Sequence, residues 1–329
     1  MQTELGRPLS TWQRLRSASR NGFSPRVFLP TAHLPDRVVP GSSLILKDHH
    51  KDRHEEPHQD QRRTIGGRIG NLEVRLARTP RELRKAQSLR YKVFYGEMDA
   101  VANAKTRFFR RDEDRFDRIC DHLLVFDHDS LTHRKKPRIV GTYRLLRQDV
   151  AEQNSGFYTA DEYDIAPLLA RHSHLKFLEL GRSCVLPAYR SSRTVELLWH
   201  GIWSYVRAHG IDVLFGCASF PGTSPRDNAV ALSFLHHHAA ASPEWSVKAL
   251  PGRYTDMNCM PKAEVSARSA LRDLPPLVKG YLRIGAKIGD GAVVDHQFGT
   301  TDVLILMPVS EIDERYIKHF GAEATRYAV

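Results

Sequence analysis

No two of the four cysteines, Cys120, Cys184, Cys217 and Cys259, form a CxxC pair. A structural zinc site or redox motif is therefore not expected, and the cysteines, mostly inside apolar runs, read as reduced core residues. Long apolar stretches are also missing. The best candidates are short pieces such as Val303–Val309, well below the roughly 18 residues of a membrane-spanning helix. The N-terminus has no compact apolar block ending in a small-residue cleavage site, so no secretory signal is expected and the cytoplasm is the default location. RNP, zinc-finger and helix-turn-helix signatures are absent, which removes nucleic acid as the expected partner. Lys and Arg nevertheless outnumber Asp and Glu by 49 to 38, a net charge of +11. Such a balance suits an acidic carrier protein or an anionic membrane face, and it is also what a generally solvated basic surface carries.

The 329 residues divide by composition. Residues 1–70 carry Pro25, Pro30, Pro35 and Pro40 and a charged, His-rich run with little hydrophobic periodicity. This segment reads as mostly disordered. Residues 71–329 read as one α/β domain. "LEVRLA" alternates Leu72, Val74 and Leu76 as a half-buried strand. Thr79, Pro80 and Glu82 then supply an N-cap, a first-turn proline and a capping-box carboxylate for a helix running to about Tyr95. Strands follow at His122–Asp127 and Arg138–Leu146, separated by a polar linker, and again at "KFLELGRSCVL". From Thr194, apolar residues recur at helical spacing until Gly210. A buried strand "IDVLFGCAS", helices around Asn228–Ala240 and Pro276–Ile288, the strand "TDVLILMPV" and a last helix from Ser310 complete the expected order.

The turn joining the strand at Phe177 to the helix at Thr194 contains no glycine. A strand feeding a helix N-terminus points free N–H groups and positive potential at an incoming anion, pyrophosphate above all. The segment "VLPAYRSSRTVELL" resembles the coenzyme A loop of the GNAT acyltransferases, with Arg193 and Val195 where that family has glycines. Their side chains would obstruct close backbone approach. A single phosphate, such as that of a phosphopantetheine arm, asks for less, and Arg190 and Arg193 could contact it.

Four further pieces are similar to the acyl-homoserine-lactone synthases, a GNAT branch that takes its acyl group from acyl carrier protein. They are Arg90 and Phe94 in "RYKVF", Asp114 and Asp117 in "DRFD", Arg144 in "TYRLL", and Glu179 with Arg182 in "ELGR". A tryptophan after the first motif is lacking, and a long C-terminal extension is added. "GYLRIGAKIGDGAVVDHQFGTTDVLILMPV" in that extension, with "FYTADEYDI" and "LFGCASFPGT", resembles the hemolysin-like GNAT group, which includes the L-ornithine N-alpha-acyltransferases.

The resemblance implies a GNAT-type mixed central sheet flanked by helices. It also implies transfer of a 3-hydroxyacyl chain from acyl carrier protein to the α-amine of L-ornithine, giving lyso-ornithine lipid. The phosphopantetheine arm would be the only cofactor-like group, with no metal. Glu179 is the candidate base, with Arg182 beside it. Backbone N–H groups near Cys184 and Val185 are candidates for the oxyanion. Charge complementarity assigns Asp114 and Asp117 to the ammonium groups of a dibasic acceptor and Arg144 or Arg90 to its carboxylate. Phe94 reads as a packing residue along an acyl channel. The basic surface would meet acyl carrier protein and the anionic inner membrane. Other readings are an acyl-homoserine-lactone synthase, another amino-acid N-acyltransferase, or a non-catalytic membrane-active protein. Asp117 could instead cap the turn before His122, and Glu179 with Arg182 could simply order the sheet.

One geometric condition applies. Glu179 and Arg182 are an odd number of residues apart, so a regular strand points them to opposite faces. A β-bulge near Gly181 would bring them to one side.

Overall fold

A computed structural model of the chain describes residues 65–98, 100–132 and 135–313, together with 315, 316 and 319. Its strands are Gly66–Ile69 (β1), Leu72–Leu76 (β2), Asp121–Leu131 (β3), Pro137–Arg147 (β4), Phe177–Val185 (β5), Val213–Pro221 (β6), Tyr254–Thr255 (β7), Lys287–Asp295 (β8) and Thr300–Pro308 (β9). The helices are Pro80–Phe94 (α1), Ala104–Phe109 (α2), Gln148–Glu152 (α3), Ala166–Arg171 (α4), Ser192–His209 (α5), Ala229–His238 (α6), Ala267–Asp273 (α7) and Pro276–Arg283 (α8). All nine strands join one sheet in the order β1-β2-β3-β4-β5-β6-β9-β8-β7. Only β5 and β6 run parallel; the other neighbours are antiparallel. This is the expected α/β mixed sheet with helices.

Local chemistry explains where the main helices begin and end. The Thr79 side chain accepts from the Glu82 N–H at 3.2 Å and so caps α1, a contact typically worth about 1 kcal/mol. The Glu82 carboxylate reaches back one residue further than a regular capping box, accepting from the Arg78 N–H at 2.7 Å. Helix α5 starts on Ser191 and stops at Gly210, whose φ of 59° is the left-handed C-cap glycine tolerates. Gly201 lets α5 lie close on the sheet, because a Cβ there would come within 3.0 Å of Leu123 and Val74 atoms.

Four expectations need correcting. Strand β1 pairs with β2 and lies inside the segment read as disordered, so order begins at least by Ile65; residues 1–64 lie outside the described residues. The polar linker after Asp127 is partly strand, because β3 continues to Leu131 and pairs there with Pro137. The helix expected over Pro276–Ile288 ends at Arg283, and Lys287–Asp295 forms β8 instead. The last helix, expected from Ser310, is replaced at its start by a 3-10 turn over Val309–Glu311, and most of the remainder lies outside the described residues.

The junction of β5 and β6 positions the site. Their ladder covers only Phe177↔Val213, Leu178↔Leu214 and Glu179↔Phe215, although both strands run on beyond it. At the point of parting, a Cβ on Gly216 would sit 2.2 Å from the Leu180 carbonyl oxygen, so only glycine fits. Beyond it the sheet is open between the two strands.

Candidate active site

Strand β5 carries the bulge its sequence requires. Thr142 pairs with Cys184 but Arg144 pairs with Gly181, so β5 holds one extra residue there. Arg182 takes a φ of 50° within it, a left-handed conformation uncommon for a residue with a side chain. Glu179 and Arg182 consequently lie on the same face of the sheet. The bulge falls at Arg182 and Ser183, immediately after Gly181.

Arg182 enters a fully buried ion network. The Arg90 guanidinium donates to both oxygens of Asp117 at 2.8 and 2.7 Å and meets Asp112 at 2.8 Å. Arg144 donates to both Asp114 oxygens at 2.7 and 2.6 Å. Arg182 lies 3.2 Å from Asp112 and 3.1 Å from Asp114. Three guanidiniums and three carboxylates thus cancel in formal charge. Burial alone would raise the carboxyls, but Arg90 outweighs it and brings Asp117 down to about 2. Asp114 is held well below the usual range by Arg144, Arg182 and Arg90 against the same burial. Asp114 also caps the 3-10 turn Arg115–Arg118, accepting from the Phe116 and Asp117 N–H groups, while Asp117 accepts from the Asp114 N–H in return.

The carboxylates of Asp114 and Asp117, assigned by charge complementarity to the acceptor's ammonium groups, and the guanidiniums of Arg90 and Arg144, assigned to its carboxylate, pair with one another in this structure. Phe94 is fully buried and packs edge-on to Phe298 at 5.9 Å, a core contact.

Glu179 is buried, and its carboxylate accepts from the backbone N–H groups of Tyr158 at 3.0 Å and Thr159 at 2.6 Å. It therefore anchors the 3-10 turn Tyr158–Asp161 against the sheet. Burial pushes its pKa up, and the hydrogen bonds from Thr159 and Tyr158 only partly offset this. Beside it lies a cavity of about 10 Å³ lined by Arg144, Tyr158, Thr159 and Gly181 among others, room for about one water. The Tyr158 ring lies under the guanidiniums of Arg144 and Arg182, at 5.5 and 5.1 Å.

On the other side of Tyr158, sequence reasoning missed a second charged group. Glu162, Asp295 and Asp302 are buried with carboxylate oxygens within 4.8 Å of one another, close enough to hold a metal ion or another cation. Arg253 stands 3.8 Å from Glu162. Burial pushes the Glu162 carboxyl up to about 7 against the pull of Arg253, and Asp295 adds to the rise. Burial also raises Asp302 far above the usual carboxylate range, with Glu162 reinforcing it. The sequence signal was indirect: these residues belong to the segments "FYTADEYDI" and "GYLRIGAKIGDGAVVDHQFGTTDVLILMPV".

At the far end of β5, Tyr189 donates to Asp127 at 2.7 Å and supports the turn. Arg190 is engaged, donating to Glu97 at 2.6 Å and to the Val185 carbonyl at 3.0 Å. Arg193 is exposed in the first turn of α5. Cys184 and Val185 pair with Thr142 and Gly141 of β4; along this stretch the other edge of β5 has no β6 ladder. The Cys184 thiol is kept protonated by burial.

The parted parallel strands and the charged face between them define an acyltransferase of the GNAT class, and residues 89–200 match the acetyltransferase (GNAT) domain model. Similarity over most of the chain is narrower. The chain is 56% identical over 263 residues to an L-ornithine N(alpha)-acyltransferase of Brucella abortus (strain 2308), covering 80% of this chain and 93% of that protein. It is 54% identical to the enzyme of the same name from Rhizobium meliloti (strain 1021), over 80% of this chain and 88% of that one. The chain belongs to the L-ornithine N(alpha)-acyltransferase family. Among solved structures, the N-acyl amino acid synthase FeeM from uncultured soil microbes aligns at a TM-score of 0.40 with 12% identity, covering 73% of this chain and 92% of that one. That likeness is too loose to carry an argument. Among the described residues, no helix is long and apolar enough to cross a membrane.

Proposed function

We propose that the protein transfers a 3-hydroxyacyl group from the phosphopantetheine thioester of acyl carrier protein to the α-amine of L-ornithine, yielding lyso-ornithine lipid. Family membership over 93% of a relative's length carries this reading. The neutral amine attacks the thioester carbonyl carbon, the C–S bond breaks, and the thiolate leaves. The amine proton passes to Glu179 through a water in the adjoining cavity; burial raises its pKa and makes it a stronger base than an ordinary carboxylate. Backbone N–H groups along the unladdered edge of β5 near Cys184 and Val185 take the oxyanion. The N-terminus of α5, with Arg193 exposed, receives the single phosphate of the carrier arm.

The product is an amphiphile, and α2 supplies a surface suited to a cytoplasmic, anionic bilayer face. Phe108 and Phe109 are 82% and 51% exposed beside exposed Lys105, Arg107 and Arg110, an apolar tip ringed by cations. Replacing both phenylalanines by serine is expected to abolish cosedimentation with anionic vesicles and leave fold stability unchanged. Retention on the vesicles would discard this surface.

Acyl transfer from radiolabelled 3-hydroxyacyl carrier protein to a panel of free amino acids tests the main reading. Ornithine-dependent lipid is expected. Transfer to a different acceptor would remove ornithine, and dependence on acyl-coenzyme A alone would remove the carrier protein.

A further inference from the structure

Three chain segments outside the ion network converge beyond Tyr158. "FYTADEYDI" brings Glu162, "LFGCASFPGT" brings Ser219 on β6, and the C-terminal extension brings Asp295, Thr300 and Asp302 on β8 and β9. Ser219 and Asp302 are register partners, and the Ser219 and Thr300 hydroxyls adjoin the Asp302 carboxylate. All five residues are at most 2% exposed. Even so, both carboxylate oxygens of Glu162, both of Asp302 and the two hydroxyls lack a hydrogen bond of ordinary geometry.

Buried polar groups are normally satisfied, and a cluster of unsatisfied acceptors is costly unless something occupies it. In the neighbouring ion network each carboxylate instead has a guanidinium within 3.2 Å. Here Arg253 stands 3.8 Å from Glu162. Three acceptors that converge within 4.8 Å match the three N–H donors of a primary ammonium.

We propose that Glu162, Asp295 and Asp302 form the subsite for the side-chain ammonium of the diamino-acid acceptor, with the Ser219 and Thr300 hydroxyls completing its cradle. This deepens the ornithine reading and rests on it. The cluster selects acceptors with a terminal cation. It lies next to the open gap between β5 and β6, so the α-amine of a seated ligand points back toward Tyr158 and Glu179.

The test compares ornithine with norvaline, which has the same carbon chain without the terminal amine. Wild-type kcat/KM is expected to favour ornithine by at least about a hundredfold, as a site built around a substrate N–H rejects the analogue lacking it. Asp302→Asn should raise the ornithine KM about a hundredfold, with a much smaller change in kcat, and collapse the ornithine-to-norvaline ratio towards one. A wild-type enzyme that acylates ornithine and norvaline equally would overturn this subsite and leave the acceptor reading standing; one that acylates no ornithine would overturn the acceptor reading itself. An unchanged ratio in a folded Asp302→Asn protein would also overturn the subsite. Should that variant fail to fold, Ser219→Ala gives the decision, with a several-fold drop in the ratio expected and no drop overturning it. Stabilisation of the wild type by Mn²⁺ alone, lost in Glu162→Gln while the ratio holds, would make the site a metal site instead.

Discussion

Two buried charged clusters meet on either side of Tyr158 and are built on opposite plans. One joins Arg90, Arg144 and Arg182 to Asp112, Asp114 and Asp117 in a closed set of ion pairs. The other brings Glu162, Asp295 and Asp302 together, with the Arg253 guanidinium 3.8 Å from Glu162. The first is complete without a ligand and fixes the geometry of β5, the turn at Asp114 and α1. The second keeps acceptors in reserve. Charged residues inside a protein therefore point to binding when they remain unbalanced, and to framework when they balance each other.

Breaking the balanced cluster should have the largest effect. Asp114→Ala leaves Arg144 and Arg182 buried without their shared partner and removes the turn cap; a loss of about 3–5 kcal/mol is expected in denaturant unfolding. A variant as stable as wild type would show that the network is dispensable to the fold.

The pH dependence of stability should separate the clusters by sign. Glu162 titrates near 7 in the folded chain against 4.5 for an ordinary glutamate. Its contribution is present below pH 4.5 and is lost as pH rises through 7, on the order of 3 kcal/mol. Asp302 acts in the same direction. Asp117 does the reverse, since its folded value of about 2 lies below 3.8; its contribution is present above pH 3.8 and is lost as pH falls through 2. Saturating ornithine should restore stability near pH 7, and Glu162→Gln should flatten the curve between pH 4.5 and 7. A curve with the same slope in the variant would contradict this contrast.

Glu179 stands between the two plans, and its replacement should have a more selective effect. Glu179→Gln turns an amide donor toward two backbone N–H groups, at a cost of about 1–3 kcal/mol. It also removes the base, so kcat should fall at least about a hundredfold. A fall in stability with kcat intact would make Glu179 an anchor only.

Much of the framework was legible in the sequence. The Thr79 cap, the apolar spacing of α5 and most of the succession of elements follow from local rules, the mixed sheet followed from the family resemblance, and the bulge that would bring Glu179 and Arg182 to one face is present. Strand β1 escaped because four residues with two glycines show no alternation. Strand β8 escaped because Gly289 and Gly291 interrupt its apolar residues directly after a helix. The partners of the charges were not legible. Asp114 and Asp117 looked available because nothing local reveals three arginines from α1, β4 and β5 closing over them. The acidic cluster combines Glu162 with residues more than a hundred positions away; the β8–β9 pairing sets Asp295 near Asp302, and the Tyr163 hydroxyl, donating to the Gly291 and Asp302 carbonyls, holds the Glu162 segment beside them.

The short β5–β6 ladder has a further consequence, for how the molecule opens. Strands β1–β5 and β6–β9 form continuous ladders within each set but share only three register pairs. The sheet is thus two cooperative blocks joined by a narrow seam, and sub-global opening measured by amide hydrogen exchange should divide there. The segment from Tyr158 to Tyr163 touches both blocks: its first N–H groups are held by Glu179 of β5, and the Tyr163 hydroxyl donates to the Gly291 carbonyl of β8 and the Asp302 carbonyl of β9. A ligand seated beside that segment would slow exchange on both sides of the seam at once, making the two blocks protect each other.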